Sequence, residues 1–169
     1  MNKKYVLFIM SILSAIAIFF TGCANFGTPV FSIDNQTALI GDSIVVPVNI
    51  KKNSGLYVGQ IVIQYDDDVL EFVSGGNGEV FDECVVNGKD VKETVMIIAN
   101  QSGIKDTKKN GTLATLNFKV KETAVRGNTH ISFYLPDHVE SGTYCLKYKN
   151  IDEEKWTIPE CIDGIITVK

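Results

Sequence analysis

The chain has 169 residues, with 16 Lys and Arg against 20 Asp and Glu and a formal net charge of −4. That length suffices for one domain with a substantial buried core. An acidic chain without a basic cluster argues against nucleic acid as a partner.

The chain opens on a secretory pattern. Lys3 and Lys4 form a short positive start, Tyr5 to Phe20 is an almost unbroken apolar run, and Phe20-Thr21-Gly22-Cys23 closes it with small residues and a cysteine. The competing reading is an uncleaved transmembrane helix, but a run of about 16 residues falls short of the ~20 needed to cross the hydrocarbon layer. The small residues followed by Cys23 resemble a bacterial lipobox, with Phe20 where that motif usually has Leu. Residues 1–22 therefore read as a lipoprotein signal peptide, Cys23 as the lipidation site, and residues 23–29 as a short tether ahead of a domain over residues 30–169. An ordinary signal peptide with an incidental cysteine is the alternative. Seven residue steps from Cys23 to Val30 reach at most ~25 Å. The expected location is exported, lipid-anchored to the cell membrane and facing outward, with the domain close to the lipid surface.

Strand signals follow, separated by Gly, Asn and Asp turns. Val30–Ile33 is a first short strand. In Ser43–Lys51, Ile44, Val46, Val48 and Ile50 alternate with Val45, Pro47 and Asn49 and mark one buried face, while Pro47 suggests an edge or bulge. Tyr57–Tyr65 sets Gly59, Ile61, Ile63 and Tyr65 on one face and Val58, Gln60, Val62 and Gln64 on the other. Asp66-Asp67-Asp68 turns the chain into Val69–Ser74, which Gly75-Gly76-Asn77-Gly78 is expected to end. Phe81–Val86 and Glu93–Asn100 flank Asn87-Gly88, a strong hairpin-turn dipeptide. Thr112–Lys121, Thr129–Leu135 and Gly164–Val168 bring the total to roughly nine strands, a β-sandwich or barrel. The stretch from Pro136 to Ile162 is less regular and holds Tyr144, Tyr148 and Trp156. Three cysteines follow Cys23, an odd number, so at least one thiol is left over. A bridge between Cys145 and Cys161 would contribute ~3 kcal/mol in the chain-entropy model, and the sequence leaves that pairing open.

Four segments in order carry a resemblance. Gly59 to Val73, with Tyr65-Asp66-Asp67-Asp68-Val69-Leu70-Glu71, is similar to the cohesin signature of an apolar strand followed by Tyr-Asp-x-x-Val-Leu-Glu. Gly111 to Lys121 resembles the later Gly-x-Leu-Ala-x-Ile-x-Phe-x-Val strand of that family, Asp163 to Val168 its closing strand, and Gly41-Asp42-Ser43 before Ile44–Val48 its second strand. The resemblance implies an all-β, about nine-stranded jelly-roll sandwich that binds a dockerin module and performs no catalysis. It further implies that calcium belongs to the dockerin, so that this chain needs no cofactor and no metal.

The family binds on one sheet, through its third, fifth, sixth and eighth strands. Carried over, the third strand presents Val58, Gln60, Val62 and Gln64, and Ala99-Asn100-Gln101-Ser102-Gly103 matches an Ala-Glu-Asp-Ser-Gly stretch. That alignment puts Val95, Ile97, Asn100 and Gly103 on the binding face and Met96 and Ile98 in the core. Val58 and Gln60 stand where many members have Asn and Asp, and Asn100 where they have Glu, so the face is more apolar and its partner is not carried over. An apolar centre with a Gln and Asn rim has the composition of a protein interface. The opposing reading is that the segment Pro136–Ile162 covers this sheet.

Other chemistry is weaker. His130 and His138 lack metal-ligand spacing with a cysteine or acid, and Ser141-Gly142 beside His138 has no third partner for a hydrolase triad. Asp66-Asp67-Asp68 could offer oxygens to calcium but lacks the spacing of a calcium loop. No glycine-rich phosphate loop leads from a strand into a helix. The alternative function is a carbohydrate-binding module, with Trp156, Tyr144 and Tyr148 as a flat platform for sugar rings. Exposed coplanar rings would favour sugar, and buried rings would favour a protein partner.

Overall fold

The computed structural model describes residues 28–53, 55–88, 91–102, 107–134, 147–149 (backbone only) and 158–169. Among them are twelve strands: β1 Val30–Ile33, β2 Gln36–Ala38, β3 Ser43–Lys51, β4 Val58–Tyr65, β5 Leu70–Asn77, β6 Glu83–Asn87, β7 Thr94–Asn100, β8 Gly111–Val120, β9 Gly127–Phe133, β10 Lys147–Lys149, β11 Glu160–Ile162 and β12 Gly164–Val168. A five-stranded sheet in the order β11-β1-β3-β8-β5 faces a sheet in the order β2-β12-β9-β4-β7-β6, with β10 added beside β4. No helix among the described residues is long and apolar enough to cross a membrane.

Each sheet contributes one face of alternating apolar side chains to the space between them. From the five-stranded sheet come Val46, Val48, Ile50, Leu116 and Phe118, and from the other Ile61, Ile63, Val95, Ile97 and Ile131, all fully buried. Phe118 is the hub. Tyr65 and Phe72 meet it edge-on, with centroids 5.0 and 5.7 Å away, the favoured geometry for aromatic pairs.

The extra strands over the sequence expectation are short and mostly come from the chain ends. β1 and β2 are one N-terminal stretch that passes from the first sheet to the second, and β11 and β12 do the same at the C-terminus, running parallel to them. Asn35 and Asp163 sit at the two crossings. Asn35 Oδ1 accepts from Ile165 N at 2.8 Å and Asp163 Oδ1 from Phe133 N at 2.9 Å, satisfying backbone donors where the ladders break. Gly164 sits against Ile33, leaving no room for a Cβ between them. Strands of three or four residues stabilised by such long-range pairs leave little periodicity in the sequence.

Pro47 fits the edge expectation. β1 pairs with β3 only from Val48 onward, so Pro47 lies just past the end of that ladder, beside a register shift between Val48 and Asn49. The glycine-rich stretch after Ser74 differs from expectation. It does not end β5 but forms its second half, pairing through to Asn77 after a bulge between Phe72 and Ser74. Val86 of β6 occupies the space where a side chain on Gly75 would stand. These glycines let the rims of the two sheets approach closely, a tertiary role that mimics a turn in sequence.

The Asp66-Asp67-Asp68 segment is the β4–β5 turn. Asp66 Oδ1 accepts from Asp68 N at 3.0 Å, and the Asp66 carbonyl accepts from Leu70 N at 2.9 Å. Lys121 Nζ donates to the Asp67 carbonyl, and Lys92 Nζ stands 3.2 Å from the Asp67 carboxylate. Turn closure and lysine pairing engage these Asp66 and Asp67 oxygens.

Candidate functional site

Pairing register decides which side chains share a face, because directly opposed residues in a ladder point the same way. β4 pairs with β7 as Val58↔Asn100, Gln60↔Ile98, Val62↔Met96 and Gln64↔Thr94. β7 pairs with β6 as Glu83↔Asn100, Val85↔Ile98 and Asn87↔Met96. The outer face of this sheet therefore carries Val58, Gln60, Val62 and Gln64, then Thr94, Met96, Ile98 and Asn100, then Glu83, Val85 and Asn87. Ile61↔Ile97 and Ile63↔Val95 are the inward pairs.

This corrects the assignment on β7. Val95 and Ile97 are 0 % exposed and belong to the core cluster, whereas Met96 is half-buried and Ile98 is 40 % exposed on the outside. Residues 95 to 98 are all apolar, so their composition does not reveal parity. Asn100 holds the clue, since strict alternation from an outward Asn100 makes Ile98 and Met96 outward. Asn100 itself does lie on the outer face, paired with Val58 and Glu83.

Exposure varies across that face. Val85 is 63 % and Ile98 40 % exposed, and they stand side by side in the ladder. Val62 points outward yet is only 1 % exposed, while Val58 and Gln60 are partly covered and Gln64 is exposed. The outward side chains thus divide: the middle of β4 is covered and the β6–β7 half is open, while residues 136–146 and 150–157, the segment expected as a cover, lie outside the described residues. The open patch was missed because Val85 lies on a strand whose outer face was not assigned.

Beside β10 the ladder sets Lys147 at Gln60, Tyr148 at Gly59 and Lys149 at Val58. Gly103, Cys23, Cys145, Tyr144 and Trp156 lie outside the described residues, as do His138 and Ser141, and only the backbone of Tyr148 is described. The lipidation site and the aromatic platform thus fall beyond the described part. Cys161 carries a free thiol, 3.7 Å from the Pro159 carbonyl. Cys84, on the inward side of β6 opposite Ala99, is also free. Burial pushes the Cys84 thiol up to about 11, and burial followed by the charges of Asp163 and Glu160 pushes Cys161 up to about 12. Neither is an activated nucleophile, which would need a lowered value.

His130 is exposed on β9 beside Ile165 of β12. Among the described residues no group of three or more His, Cys, Asp or Glu side chains could hold a metal ion. What the outer face offers is an aliphatic patch with amide neighbours, suited to contact with another protein surface.

Comparison with known proteins agrees with this architecture. The family model for the cohesin domain matches residues 29–135, more than half of the chain. Cellulose-binding protein A of Clostridium cellulovorans is 30 % identical over an alignment of 99 residues that covers 55 % of this chain and 5 % of that protein. Among solved structures, the seventh ScaB type I cohesin of Pseudobacteroides cellulosolvens superposes with a TM-score of 0.70 at 20 % identity, covering 84 % of this chain and 92 % of that one. The OlpA cohesin in complex with the dockerin Doc918, from Clostridium thermocellum, gives 0.70 at 20 % identity over 85 % and 100 %. A non-cellulosomal cohesin from Archaeoglobus fulgidus gives 0.66 at 16 % identity over 85 % and 92 %. The chain is a member of the cohesin domain family, and its all-β sandwich is the jelly roll of that family.

Proposed function

We propose that this chain is a non-catalytic docking module that takes a dockerin-type partner on the outer face of β4, β7 and β6. The observation that carries the reading is the side-by-side exposure of Val85 and Ile98, with Met96 beneath them and Gln60, Asn100 and Glu83 around them. Large aliphatic side chains grouped on a flat sheet lose unfavourable hydration when a partner covers them. The face lies on the strands where the resemblance places docking, and two solved relatives are cohesins bound to dockerins.

In this reading calcium belongs to the partner and polysaccharide is engaged only indirectly, through what the partner carries. The domain is exported and held by lipid on Cys23, close to the membrane, and it docks its partner there.

The experiment is a pull-down from exported proteins with the domain as bait, with calcium and with chelator. Capture of proteins carrying paired calcium-binding repeats, lost on chelation, supports the reading. Ile98→Asp should abolish capture while the domain still melts cooperatively, because a carboxylate at the centre of a docked face is desolvated without a partner. Calcium-independent capture, or full capture by Ile98→Asp, would count against it.

A further inference from the structure

Beside the open patch, at the β7 entry, a notch of about 280 Å³ is lined by Val62, Gln64, Val91, Lys92, Thr94 and Tyr134. Its walls come from three directions. Val62 and Gln64 are the outer residues of β4, Thr94 is their ladder neighbour on β7, and Tyr134 arrives from the end of β9, its N–H donating to the Val62 carbonyl at 2.8 Å. Val91 stands on the β6–β7 connection and is 40 % exposed.

The notch continues the docking face, since Met96 is the ladder neighbour of Val62 and Thr94 that of Gln64. Among the described residues that line it, the one charged side chain is already paired: Lys92 Nζ lies 3.2 Å from both the Asp67 and Glu93 carboxylates. The lysine thus contributes an aliphatic stem and a compensated charge, and the Thr94 hydroxyl donates to the Val91 carbonyl at 3.1 Å. An occupant meets no unpaired charge among these residues, and gains by covering Val91 and the Tyr134 ring.

We infer that this notch receives one uncharged side chain, aliphatic or aromatic, from the docked protein, and that it anchors the partner at the β7-entry end of the face. The inference rests on the docking reading for its biological occupant, but the notch can be tested by itself. Interfaces concentrate their affinity where a side chain fills a preformed pocket on the other partner.

The first arm titrates the intact chain with isoamyl alcohol and para-cresol, as stand-ins for aliphatic and aromatic side chains, and with cellobiose, while following methyl and aromatic NMR signals. The expected result is that the first two perturb Val62, Val91 and Tyr134 and leave Val45 on the opposite sheet unmoved, with no response to cellobiose. Silence from both apolar probes overturns the inference, and a selective response to cellobiose reassigns the notch to sugar and overturns it as well. The second arm measures dockerin affinity for Val91→Trp, which fills the notch, and Tyr134→Ala, which opens it. Each should weaken binding by about tenfold or more with the melting transition retained. If Val91→Trp does not fold, Tyr134→Ala decides. Wild-type affinity in the folded variants, with Ile98→Asp still blocked, sinks the anchor and leaves the docking reading intact. Apolar probes that bind where no dockerin does sink the docking reading and leave the notch.

Discussion

The outer surfaces of the two sheets follow the same alternation but hold different contents. On the five-stranded sheet Lys119 faces Glu71 across the ladder, Asn117 Nδ2 donates to Ser74 Oγ at 2.9 Å, and Thr112 Oγ1 donates to Asn49 Oδ1 at 3.0 Å. That surface satisfies polar groups across its strands, and its exposed aliphatics, Val45 on β3, Val73 in the β5 bulge and Ile162 on β11, are not paired with one another in the ladders. On the β6–β7 half of the other sheet, Val85 and Ile98 are exposed as neighbours. Scattered exposed aliphatics are ordinary surface, whereas ladder neighbours that are both exposed form a patch. The contrast supports the β6–β7 half as the proposed docking side.

The comparison can be broken most forcefully on β7 itself, where inward and outward residues alternate. Ile97→Asp places a carboxylate in the closed core and should unfold the domain, a loss of several kcal/mol, seen as no cooperative transition by circular dichroism. Ile98→Asp, one residue on, should keep the melting temperature within a few degrees and weaken dockerin binding by about 2 kcal/mol or more, read by calorimetry. Equal unfolding by both variants would mean that the assigned alternation is wrong.

A smaller effect tests the rim where the sheets close. Gly75→Ala puts a methyl group into the space of Val86 and should cost about 1–3 kcal/mol in chemical denaturation, with dockerin affinity of the folded fraction unchanged. The next concerns pH. The Cys84 thiol ionises near 9.0 when exposed and at about 11 in the fold, so the folded state holds its proton longer. Its contribution is complete below pH 9 and is lost as pH rises from 9 towards 11. Denaturation midpoints should fall over that window, and Cys84→Ala should flatten part of the slope while the Cys161 part remains. The smallest expected change is Val45→Ser, on the self-satisfied sheet, which should alter neither stability by more than about 0.5 kcal/mol nor dockerin affinity.

Legibility in the sequence followed how much each element depends on remote parts of the chain. β3, β4 and β8 were readable because eight to ten residues of clean alternation record one buried face. Gly75 and Gly76 looked like a turn because nothing nearby in sequence announces Val86 pressing from the other sheet. The face of β7 was misread for a related reason: Val95, Met96, Ile97 and Ile98 are interchangeable in polarity, and only the ladder with β4 and β6 sorts them.

What the sequence by itself determined is the class: an acidic chain of alternating strands and turn dipeptides, with cohesin-like segments in order and a lipoprotein-like start at Cys23. Local alternation and turn chemistry are properties of neighbouring residues, so they survive without coordinates. Tertiary structure alone decided that the outward residues of β6 and β7 include Val85, Ile98 and Met96 rather than Val95 and Ile97, that the outward Val62 is covered, and that Tyr134 and Val91 line one notch with it. Those facts arise from register between strands and from contacts between distant residues, neither of which leaves a period in the chain.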